Sequence, residues 1–550
     1  MEQQAKSASI QTLTKMLECE LDPVVLFEAL VVDSGSSSSS NRMLLESCRI
    51  DNKQHQKSIL LHKSALRIEC QKNRISIHSL TSNGNNALTQ IKKILSIQSN
   101  LNIEEIKHNA LTIVYPDLFN TEQNINEEQR LKQVSPIDCL RKINSAFESQ
   151  NKQSYANFLC GLFSFDFIAT FEKLPAVLEG ENTCPDFVFY LAEELVVVDH
   201  ETHRSFIYSN IFSGENSEKN YFEQSRRIEQ LSKTIADASL ASSFNKNENK
   251  KADNVQIDKA SLVDCNISDE EYRATVSKLK EEIIKGNIFQ VVPSRTFSMP
   301  CPNTLASYQS LKETNPSPYM FYMQDQDFIL FGASPESALK YQKKSSFVEV
   351  YPIAGTRPRG KSSSGQIDND LDKRLEAELK LDQKEISEHM MLVDLARNDI
   401  ARISNSGSLQ IPRLLEVDRY SQVMHLVSKV QGELREDLDC FHAYQACMNM
   451  GTLTGAPKIK ATELIRQTEK TRRGSYGGAV GYINSDGDMD TCIVIRSAFC
   501  KNDTAYIQAG AGVVYDSDPQ SESEETKSKA KAVIQAIQMA HATTVSMAQE

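Results

Sequence analysis

Tryptophan is absent from the 550-residue sequence, although the chain has 22 phenylalanines and 17 tyrosines. Chance is the simplest explanation, so this absence excludes nothing by itself. The 12 cysteines form no C-x-x-C pair and no Cys/His cluster at metal-ligand spacing. A disulfide framework and a zinc site are therefore not indicated, and a reducing compartment is the default.

Long apolar runs are missing as well. No window approaches the roughly 20 apolar residues that a membrane-spanning helix needs. The segment from Met1 to Leu30 lacks the apolar stretch of a signal peptide. We therefore expect a cytoplasmic protein without a membrane segment.

Positively charged residues are fewer than negatively charged ones. The chain has 61 Lys and Arg residues and 73 Asp and Glu residues, which gives a net charge of −12. This balance argues against nucleic acid and anionic membranes as partners. An anionic ligand would have to meet a local basic site. The hydrophobic share of 40% and the charged share of 24% are typical of a folded soluble protein.

Two polar runs divide the chain, Ser36–Ser40 and 242–259. We interpret the first as a loop tip and the second as part of a linker. The prediction is an N-terminal α/β region at 1–241, a linker at 242–262 and a second region at 263–545. In the second region, helices are predicted near 371–397, 437–449, 456–468 and 521–541, and strands near 477–484, 491–499 and 505–515. This pattern favours an α+β fold over regular βαβ units.

The predicted helix at 371–397 has three faces when its residues are plotted at about 100° each. Leu379 and Val393 belong to a core stripe, whereas Glu385 and Glu388 lie on a third face, away from the solvent side. Two carboxylates three residues apart repel each other unless a cation is near. A divalent cation and an ion pair with Arg or Lys explain this pair equally well.

Glu522 and Glu525 form a second pair of this kind at the start of the predicted helix at 521–541. Acids in a first turn usually interact with the helix dipole, which is the simpler explanation for this pair alone. The two pairs together could supply a hard, oxygen-only site for Mg²⁺.

Other segments could meet an anion. The strand end Gln508–Val514 contains two glycines at which backbone N–H groups can approach a ligand, although a bulge or a tight turn explains them equally well. Four further polar residues have apolar sequence neighbours. A polar or charged side chain that is buried among such neighbours must be paired, bind a ligand or take part in catalysis. These residues are Arg357, Arg359, Arg496 and His425. For a lone histidine, a satisfied core position is the more common case. Together these segments indicate a site for a small polyanion assisted by a metal ion.

The same segments resemble, with high specificity, the chorismate-utilising enzymes, and among them the large components of anthranilate synthases. The similarity covers nearly the whole chain and is carried by the blocks 352–360 (PIAGTRPRG), 384–399 (KEISEHMMLVDLARND), 451–458 (GTLTGAPK), 472–482 (RRGSYGGAVGY), 490–498 (DTCIVIRSA) and 508–530. It implies an α+β fold in which two large, mainly antiparallel β-sheets pack as a sandwich flanked by helices. It also implies amination of chorismate by ammonia and elimination of pyruvate to give anthranilate, the first step of tryptophan biosynthesis.

The resemblance assigns site residues as well. The implied Mg²⁺ shell is Glu385, Glu388, Glu522 and Glu525, with Glu388 and Glu525 as the direct ligands. The implied substrate contacts are Gly355, Thr356, Tyr476, Arg496, Gly510, Ala511, Gly512 and Lys529. The implied groups for the pyruvate-releasing step, where acid–base work is needed, are His425 and Thr452.

Two positions separate branches of this family. Aminodeoxychorismate-forming members of the lysine-nucleophile type carry Lys where this chain has Ala354, and isochorismate-forming members carry a Lys base where it has Gln290. Both differences favour ammonia as the nucleophile. A catalytically silent subunit that binds tryptophan is the rival from another class, and it would be expected to have lost site residues.

The resemblance to tryptophan-sensitive members implies feedback inhibition by L-tryptophan. The implied inhibitor site is Glu46, Ser47, Pro318, Tyr319 and Met320. The sequence has no G-x-C-x-G nucleophile motif of a glutamine amidotransferase. The resemblance therefore implies a separate amidotransferase subunit, in a heterotetramer with two copies of each chain.

Overall fold

The computed structural model describes residues 8–33, 40–48, 55–96, 101–107, 109–119, 126–245, 263–362, 365–420 and 423–547. Residues 36–39 of the serine run and 246–262 of the predicted linker lie outside these ranges. The helix that precedes the linker continues to Asn245, four residues into the predicted linker. The division into regions stays a prediction.

The described ranges contain 25 strands and 13 α-helices. The strands are β1 (Ala8–Leu17), β2 (Arg42–Cys48), β3 (His55–Gln71), β4 (Arg74–Ser79), β5 (Asn102–Lys107), β6 (Ala110–Val114), β7 (Phe147–Ser149), β8 (Leu159–Phe163), β9 (Phe187–Asp199), β10 (Arg204–Phe212), β11 (Asp264–Cys265), β12 (Gln290–Val291), β13 (Ser294–Pro300), β14 (Tyr319–Gln324), β15 (Ile329–Ser334), β16 (Ser337–Gln342), β17 (Phe347–Val350), β18 (Ile353–Pro358), β19 (Gln410–Arg419), β20 (Val423–Glu433), β21 (Gly455–Ala456), β22 (Ala479–Ile483), β23 (Met489–Ile493), β24 (Ser497–Lys501) and β25 (Thr504–Gly510).

The helices are α1 (Pro23–Asp33), α2 (Ser82–Leu95), α3 (Glu127–Leu131), α4 (Ile137–Asn144), α5 (Ser217–Asn245), α6 (Asp269–Ile284), α7 (Thr304–Thr314), α8 (Asn369–Leu381), α9 (Gln383–Ala401), α10 (Cys440–Cys447), α11 (Gly451–Thr454), α12 (Lys458–Glu469) and α13 (Pro519–Met547). No helix in the described ranges is long and apolar enough to cross a lipid bilayer.

Two long strands, β3 and β9, belong to both large sheets. The second half of β9 pairs with β10 and with the first half of β3, whereas its first half pairs with β8 and with the second half of β3. The β3–β9 register slips three times between Leu61 and Leu66. Such bulges bend a strand, so the two strands turn here from one sheet into the other.

The strand order in the first sheet is β7-β1-β10-β9-β3-β2-β14-β15-β24-β25-β13-β11. The second sheet has the order β5-β6-β4-β3-β9-β8-β22-β23-β16-β17-β20-β19, with β18 beside β17 on the same edge of β20. Among the described strands, all neighbours in these sheets are antiparallel except β1 and β7.

Apolar side chains pack in three layers, one between the two sheets and one on the outer face of each sheet. Apolar residues from β2, β14, β15 and β24 of the first sheet meet residues from β8, β22 and β23 of the second. Helices α1, α5, α7 and α13 cover the outer face of the first sheet, and α2, α4, α9 and α10 cover that of the second. The predicted α+β sandwich of two antiparallel sheets with flanking helices is therefore confirmed.

Two predicted elements are each divided in the structure, and two others end elsewhere: the strand predicted at 505–515 ends at Gly510, and the helix predicted at 521–541 continues to Met547. The helix predicted at 371–397 is two helices, α8 and α9, which meet at Asp382. The Asp382 carboxylate accepts the N–H groups of Lys384 and Glu385 at 3.0 and 3.2 Å, so it caps α9 and starts a new helix. The strand predicted at 491–499 is divided into β23 and β24, because the chain turns at Arg496, where φ is 50°.

Buried ion pairs tie the early and late parts of the chain together. Arg67 on β3 is 1% exposed and donates to both carboxylate oxygens of Asp325, at 2.8 and 3.0 Å, in the turn between β14 and β15. Asp327 in the same turn accepts from Arg67 at 3.1 Å, although its side chain is 58% exposed.

We expect Asp325→Ala to destabilise the protein by about 3 kcal/mol, because it removes the main partner of a buried guanidinium. The matched change Asp327→Ala should cost less than about 1 kcal/mol, because an exposed carboxylate is well solvated in either state. Urea unfolding of both variants measures the difference. Equal losses would contradict this account of the buried pair.

Candidate active site

The four predicted metal-binding carboxylates lie close together. Glu388, on α9, has a pKa of about 7, raised mainly by burial and further by the nearby carboxylates of Glu385, Glu522 and Glu525. The Lys384 ammonium, 3.8 Å from Glu388, opposes this rise. The first turns of α13 therefore face the start of α9, as the resemblance implied.

Besides Glu388, two more of these carboxylates have a cationic partner. Glu385 accepts a hydrogen bond of 2.8 Å from Arg357, so the ion-pair explanation of its position holds for this residue. Glu525 lies 2.7 Å from Lys529, whose ammonium also donates to the Gly510 carbonyl at 2.9 Å. Arg357 and Lys529 thus link the acidic groups to the β18 and β25 segments.

The acidic groups suit a hard divalent cation but do not form a closed site. Among the residues described, no three His, Cys, Asp or Glu side chains are arranged as a ready-made metal site. Burial raises the pKa of both Glu388 and Glu522, which shows that negative charge here is only partly compensated. An oxygen-only donor set with excess negative charge fits Mg²⁺ better than it fits a softer metal.

The glycine segment after β25 is folded tightly against the start of β13. Ser294 pairs with Gly510, and the Ala511 peptide N–H donates to the Pro293 carbonyl at 3.2 Å. A Cβ atom at Gly512 would lie 2.6 Å from the Gln290 amide nitrogen, so a larger residue there would displace the Gln290 side chain. Two of the three predicted peptide donors are therefore engaged within the protein, that of Ala511 with Pro293 and that of Gly510 with Tyr476.

Arg496 and Tyr476 lie beside this turn. Burial lowers the pKa of Arg496, and among the described residues its guanidinium has no hydrogen-bond or ion-pair partner. Burial raises the pKa of Tyr476 to about 12, against the hydrogen bond from the Gly510 peptide and the charge of Arg473. A poorly solvated guanidinium of this kind attracts a carboxylate strongly.

His425 and Thr356 face each other across β18 and β20. The Thr356 hydroxyl lies 2.9 Å from His425 Nδ1, and the imidazole packs edge-on against the Tyr420 ring. A Cβ atom at neighbouring Gly355 would lie 3.2 Å from a carboxylate oxygen of Glu385. The predicted His425 group is therefore connected to the acidic cluster through β18.

Arg359, the other arginine considered in this segment, is a structural residue. It donates to both carboxylate oxygens of Asp372, at 2.8 and 2.9 Å, and so attaches β18 to the first turn of α8. Within the described residues, its hydrogen bonds go to Asp372 and to the Tyr420 carbonyl, and none goes to the acidic cluster.

Glu336 is a site residue that the sequence reasoning missed. It lies between β15 and β16, and it accepts a hydrogen bond of 3.0 Å from the predicted catalytic residue Thr452. Burial raises its pKa to about 8, although Thr452 and the charge of Lys529 oppose the rise. The sequence signal for this role was one acidic residue within Phe331–Leu339, a segment of mostly small or apolar residues.

The Gln290 side chain is the second group whose role the structure clarifies. It is 6% exposed, and β12 holds it opposite Ala456, just after the helical turn that carries Thr452. Its amide oxygen has no hydrogen-bond partner among the described residues. A buried acceptor without a donor is a place for a small hydrogen-bond donor to bind.

Comparisons with known proteins agree with this geometry. A family model described as chorismate binding enzyme matches residues 103–535. The chain belongs to the chorismate-binding enzymes. Anthranilate synthase component 1 of Vibrio cholerae is 49% identical over 537 residues, which cover 98% of both chains. The protein of that name from Escherichia coli is 47% identical over 533 residues, covering 96% of this chain and 97% of the relative.

A solved structure also matches. The crystal structure of anthranilate synthase component I from Streptococcus pneumoniae covers 87% of this chain and 92% of its own, with a TM-score of 0.63 and 28% identity. The chorismate-binding enzyme described here therefore shares its fold along most of its length with that protein.

This chorismate-binding enzyme has a separate cavity of about 330 Å³ between its two sheets. Four of the five predicted inhibitor contacts line it, namely Glu46, Ser47, Tyr319 and Met320. The fifth, Pro318, does not line the cavity, and its carbonyl accepts the N–H of Cys48.

Both sheets contribute polar groups to the cavity. Asp490 and Lys340 line it, and the Tyr319 hydroxyl donates to Asp490 at 3.2 Å. The Glu46 carboxylate instead faces α7, where Tyr308 and Lys312 donate to it at 2.5 and 2.7 Å. Glu46 therefore contributes to the cavity wall but not a free charge.

We expect the Glu336 carboxyl to stay protonated at neutral pH and to ionise near pH 8. Thr452→Val should raise its pKa further, because the hydroxyl hydrogen bond stabilises the carboxylate. Infrared difference spectra between pH 6 and pH 10 measure this titration, with Glu336→Gln identifying the band. A Glu336 band that is already fully ionised at pH 6 would contradict the assignment.

Proposed function

We propose that the chain is the large subunit of an anthranilate synthase, which converts chorismate and ammonia to anthranilate and pyruvate in the first step of tryptophan biosynthesis. The observation that carries the proposal is one site that combines four converging carboxylates, an unpaired Arg496 and the buried acid Glu336, hydrogen-bonded to Thr452. Relatives at 47–49% identity that are named anthranilate synthase component 1 support it.

Chorismate carries two carboxylates, and the site has two kinds of group for them. Glu388 and Glu525 would hold Mg²⁺ directly, with Glu385 and Glu522 around them. When bound, the ion would supply positive charge for the ring carboxylate and for the departing ring oxygen. Lys529 lies between Glu525 and the glycine turn, where it would bind the same carboxylate.

The second carboxylate, on the enolpyruvyl side chain, would pair with Arg496 and Tyr476. A guanidinium can give a carboxylate two parallel hydrogen bonds, which fixes its orientation as well as its position. The Gly510 and Gly512 segment closes the wall between the two carboxylate positions. The substrate would thus be held at both ends while its ring remains free to react.

Amination replaces the ring hydroxyl with an amino group. Glu336, protonated at neutral pH, would give its proton to the departing hydroxyl, so that the C–O bond breaks with loss of water. Ammonia forms the new C–N bond, and the ammonium group that results loses one proton, which restores the neutral Glu336 carboxyl in the net balance. The unpaired Gln290 oxygen would accept a hydrogen bond from the incoming ammonia, and an amide is too weak a base to activate water instead.

Pyruvate leaves in the second stage. The ether bond to the ring breaks, the enolpyruvyl carbon gains a proton, and the ring loses a proton and becomes aromatic. His425, held by Thr356, would serve this acid–base work, and Thr452 would align Glu336. The partner for use of glutamine would be an amidotransferase subunit, in an assembly with two copies of each chain in the cytoplasm.

The cavity between the sheets would be the feedback site for L-tryptophan. Its apolar walls suit an indole, and its charged groups Asp490 and Lys340 suit the ammonium and carboxylate of an amino acid. A ligand bound there would be distinct from chorismate and could inhibit by shifting the enzyme to a less active state.

The decisive experiment uses the purified chain with chorismate, Mg²⁺ and an ammonium salt at mildly alkaline pH. Anthranilate fluorescence should rise with time. Chorismate loss without anthranilate would favour an isochorismate-forming or aminodeoxychorismate-forming enzyme. No loss of chorismate would sink the proposal and favour a silent tryptophan-binding subunit.

Replacing a direct metal ligand should abolish the Mg²⁺-dependent reaction. We expect Glu388→Gln and Glu525→Gln each to lower turnover at least about 100-fold, because a neutral amide binds Mg²⁺ poorly. Mn²⁺ binding followed by electron paramagnetic resonance should weaken in parallel. Glu524→Gln is the matched control, because Glu524 is exposed on the same helix and pairs with Lys527.

Unchanged turnover and unchanged Mn²⁺ binding in either ligand variant would remove that residue from the metal shell. An equal loss in Glu524→Gln would show that the effect comes from the charge of α13 as a whole.

Filling the cavity should abolish feedback without harming catalysis. We expect Ser47→Phe to raise the tryptophan concentration for half-inhibition at least about tenfold, because the larger side chain occupies the ligand volume. Ammonia-dependent turnover without tryptophan should stay within about twofold of the wild type. Ser277→Phe, on the exposed face of α6, is the control. Retained sensitivity in Ser47→Phe would overturn the cavity assignment.

A further inference from the structure

A largely buried ion pair lies behind the wall of the candidate active site. Arg473, between α12 and β22, is 1% exposed. Its guanidinium donates two hydrogen bonds to the carboxylate of Glu469, the last residue of α12. The two hydrogen bonds measure 2.8 and 2.6 Å. Such a parallel pair of charge-assisted bonds fixes both side chains in orientation as well as in position.

The remaining donors of Arg473 bind two backbone carbonyls. One nitrogen donates to Leu453 at 2.9 Å and another to Val292 at 2.6 Å. The guanidinium carbon lies 4.6 Å from the ring centre of Phe165 and 5.5 Å from that of Tyr476. The guanidinium is therefore in contact with four separate segments of the chain.

Glu469 reaches a further segment. One of its oxygens accepts both the peptide N–H and the hydroxyl of Ser294, each at 2.8 Å. Ser294 pairs with Gly510 across β13 and β25, at the start of the glycine turn. The ion pair thus extends from the helix end to the strand that carries this turn.

Each segment held by the pair carries a group of the candidate site. Leu453 follows Thr452, the hydrogen-bond donor to Glu336, and Val292 lies two residues after Gln290. Tyr476 packs directly on the guanidinium, and Ser294 fixes Gly510. These groups come from distant parts of the chain, and the pair is their shared support.

Stability alone does not account for this arrangement. A buried ion pair gains little net stability over apolar residues of the same volume, because both charges lose their hydration. Arg67 and Asp325 form a pair that is at least as buried and whose contacts lie at the far turn between β14 and β15. That pair holds none of the candidate site residues, so the fold offers an internal comparison.

We propose that Arg473 and Glu469 are positioning residues, which set the relative placement of Thr452, Gln290, Tyr476 and the glycine turn for the amination of chorismate. The inference rests on the proposed function, because the groups being placed are those that act in that reaction. Neither residue touches the substrate. Their effect is exerted through the segments that they hold.

The test compares Arg473→Lys with Arg67→Lys in the full chain. Lysine keeps a positive charge beside the Glu469 carboxylate. Its ammonium cannot make two parallel hydrogen bonds to that carboxylate and also reach the two backbone carbonyls. We expect Arg473→Lys to lower kcat about 100-fold, the size of loss that a misplacement of about 1 Å can cause. Arg67→Lys should lower the unfolding midpoint at least as much while kcat stays within about threefold of the wild type.

Chemical rescue separates positioning from folding. Arg473→Ala leaves a cavity of guanidinium shape next to Glu469, so guanidinium chloride at non-denaturing millimolar concentration should restore turnover at least about tenfold. Arg67→Ala should show no such gain. Mn²⁺ binding should be unchanged in Arg473→Lys, because the pair does not touch the carboxylates of α9 and α13.

Two results would overturn the inference. Turnover of Arg473→Lys within about threefold of the wild type would show that the pair is structural only. An equal loss of kcat in Arg67→Lys would show the same. Absence of anthranilate from the wild type would overturn the proposed function, and this inference with it, which distinguishes the two failures.

Discussion

Repulsion among the four carboxylates of α9 and α13 is the constraint on which the site depends. Half-buried acids at short range cannot all stay ionised without nearby cations, and the raised pKa of Glu388 shows that compensation is incomplete. Arg357 and Lys529 each neutralise one carboxylate. The remaining negative charge leaves room for a divalent ion, and the unpaired Arg496 leaves room for an anion.

The sandwich places these groups where strands pass between its sheets. Glu336 lies in the passage from β15 to β16, and Arg496 lies in the passage from β23 to β24. The two passages are hydrogen-bonded to each other, because Ala333 donates to the Arg496 carbonyl and Ile493 donates to the Glu336 carbonyl. The regular hydrogen bonding between neighbouring strands stops at these two passages. Polar side chains can therefore face the interior here without disrupting the backbone hydrogen bonds of a sheet.

Periodicity predicted much of the local structure. The face shared by Glu385 and Glu388 followed from helical spacing, and three predicted helices lie within a few residues of α10, α12 and α13. The helix break at Asp382 was not predicted, because an acid fits a solvent-facing helix position as well as it fits a cap. Local patterns cannot separate these two roles without the path of the chain.

The site itself could be predicted only in part. Residue types and resemblance indicated the metal-binding acids, but Glu336 has no partner acid in the sequence and depends on burial by distant strands. The Arg473 and Glu469 pair was likewise hidden, because i,i+4 spacing at a helix end is typical of surface ion pairs. Burial, a property of the tertiary structure, gives both groups their chemistry.

The central claim is that the acidic cluster becomes a metal site together with an anionic substrate. Calorimetric titration of the chain with Mg²⁺, with and without chorismate and in the absence of ammonium, tests it most directly. The account predicts that chorismate tightens Mg²⁺ binding at least about tenfold, and that Mg²⁺ tightens chorismate binding by the same factor. Equal Mg²⁺ affinity with and without chorismate would contradict the account.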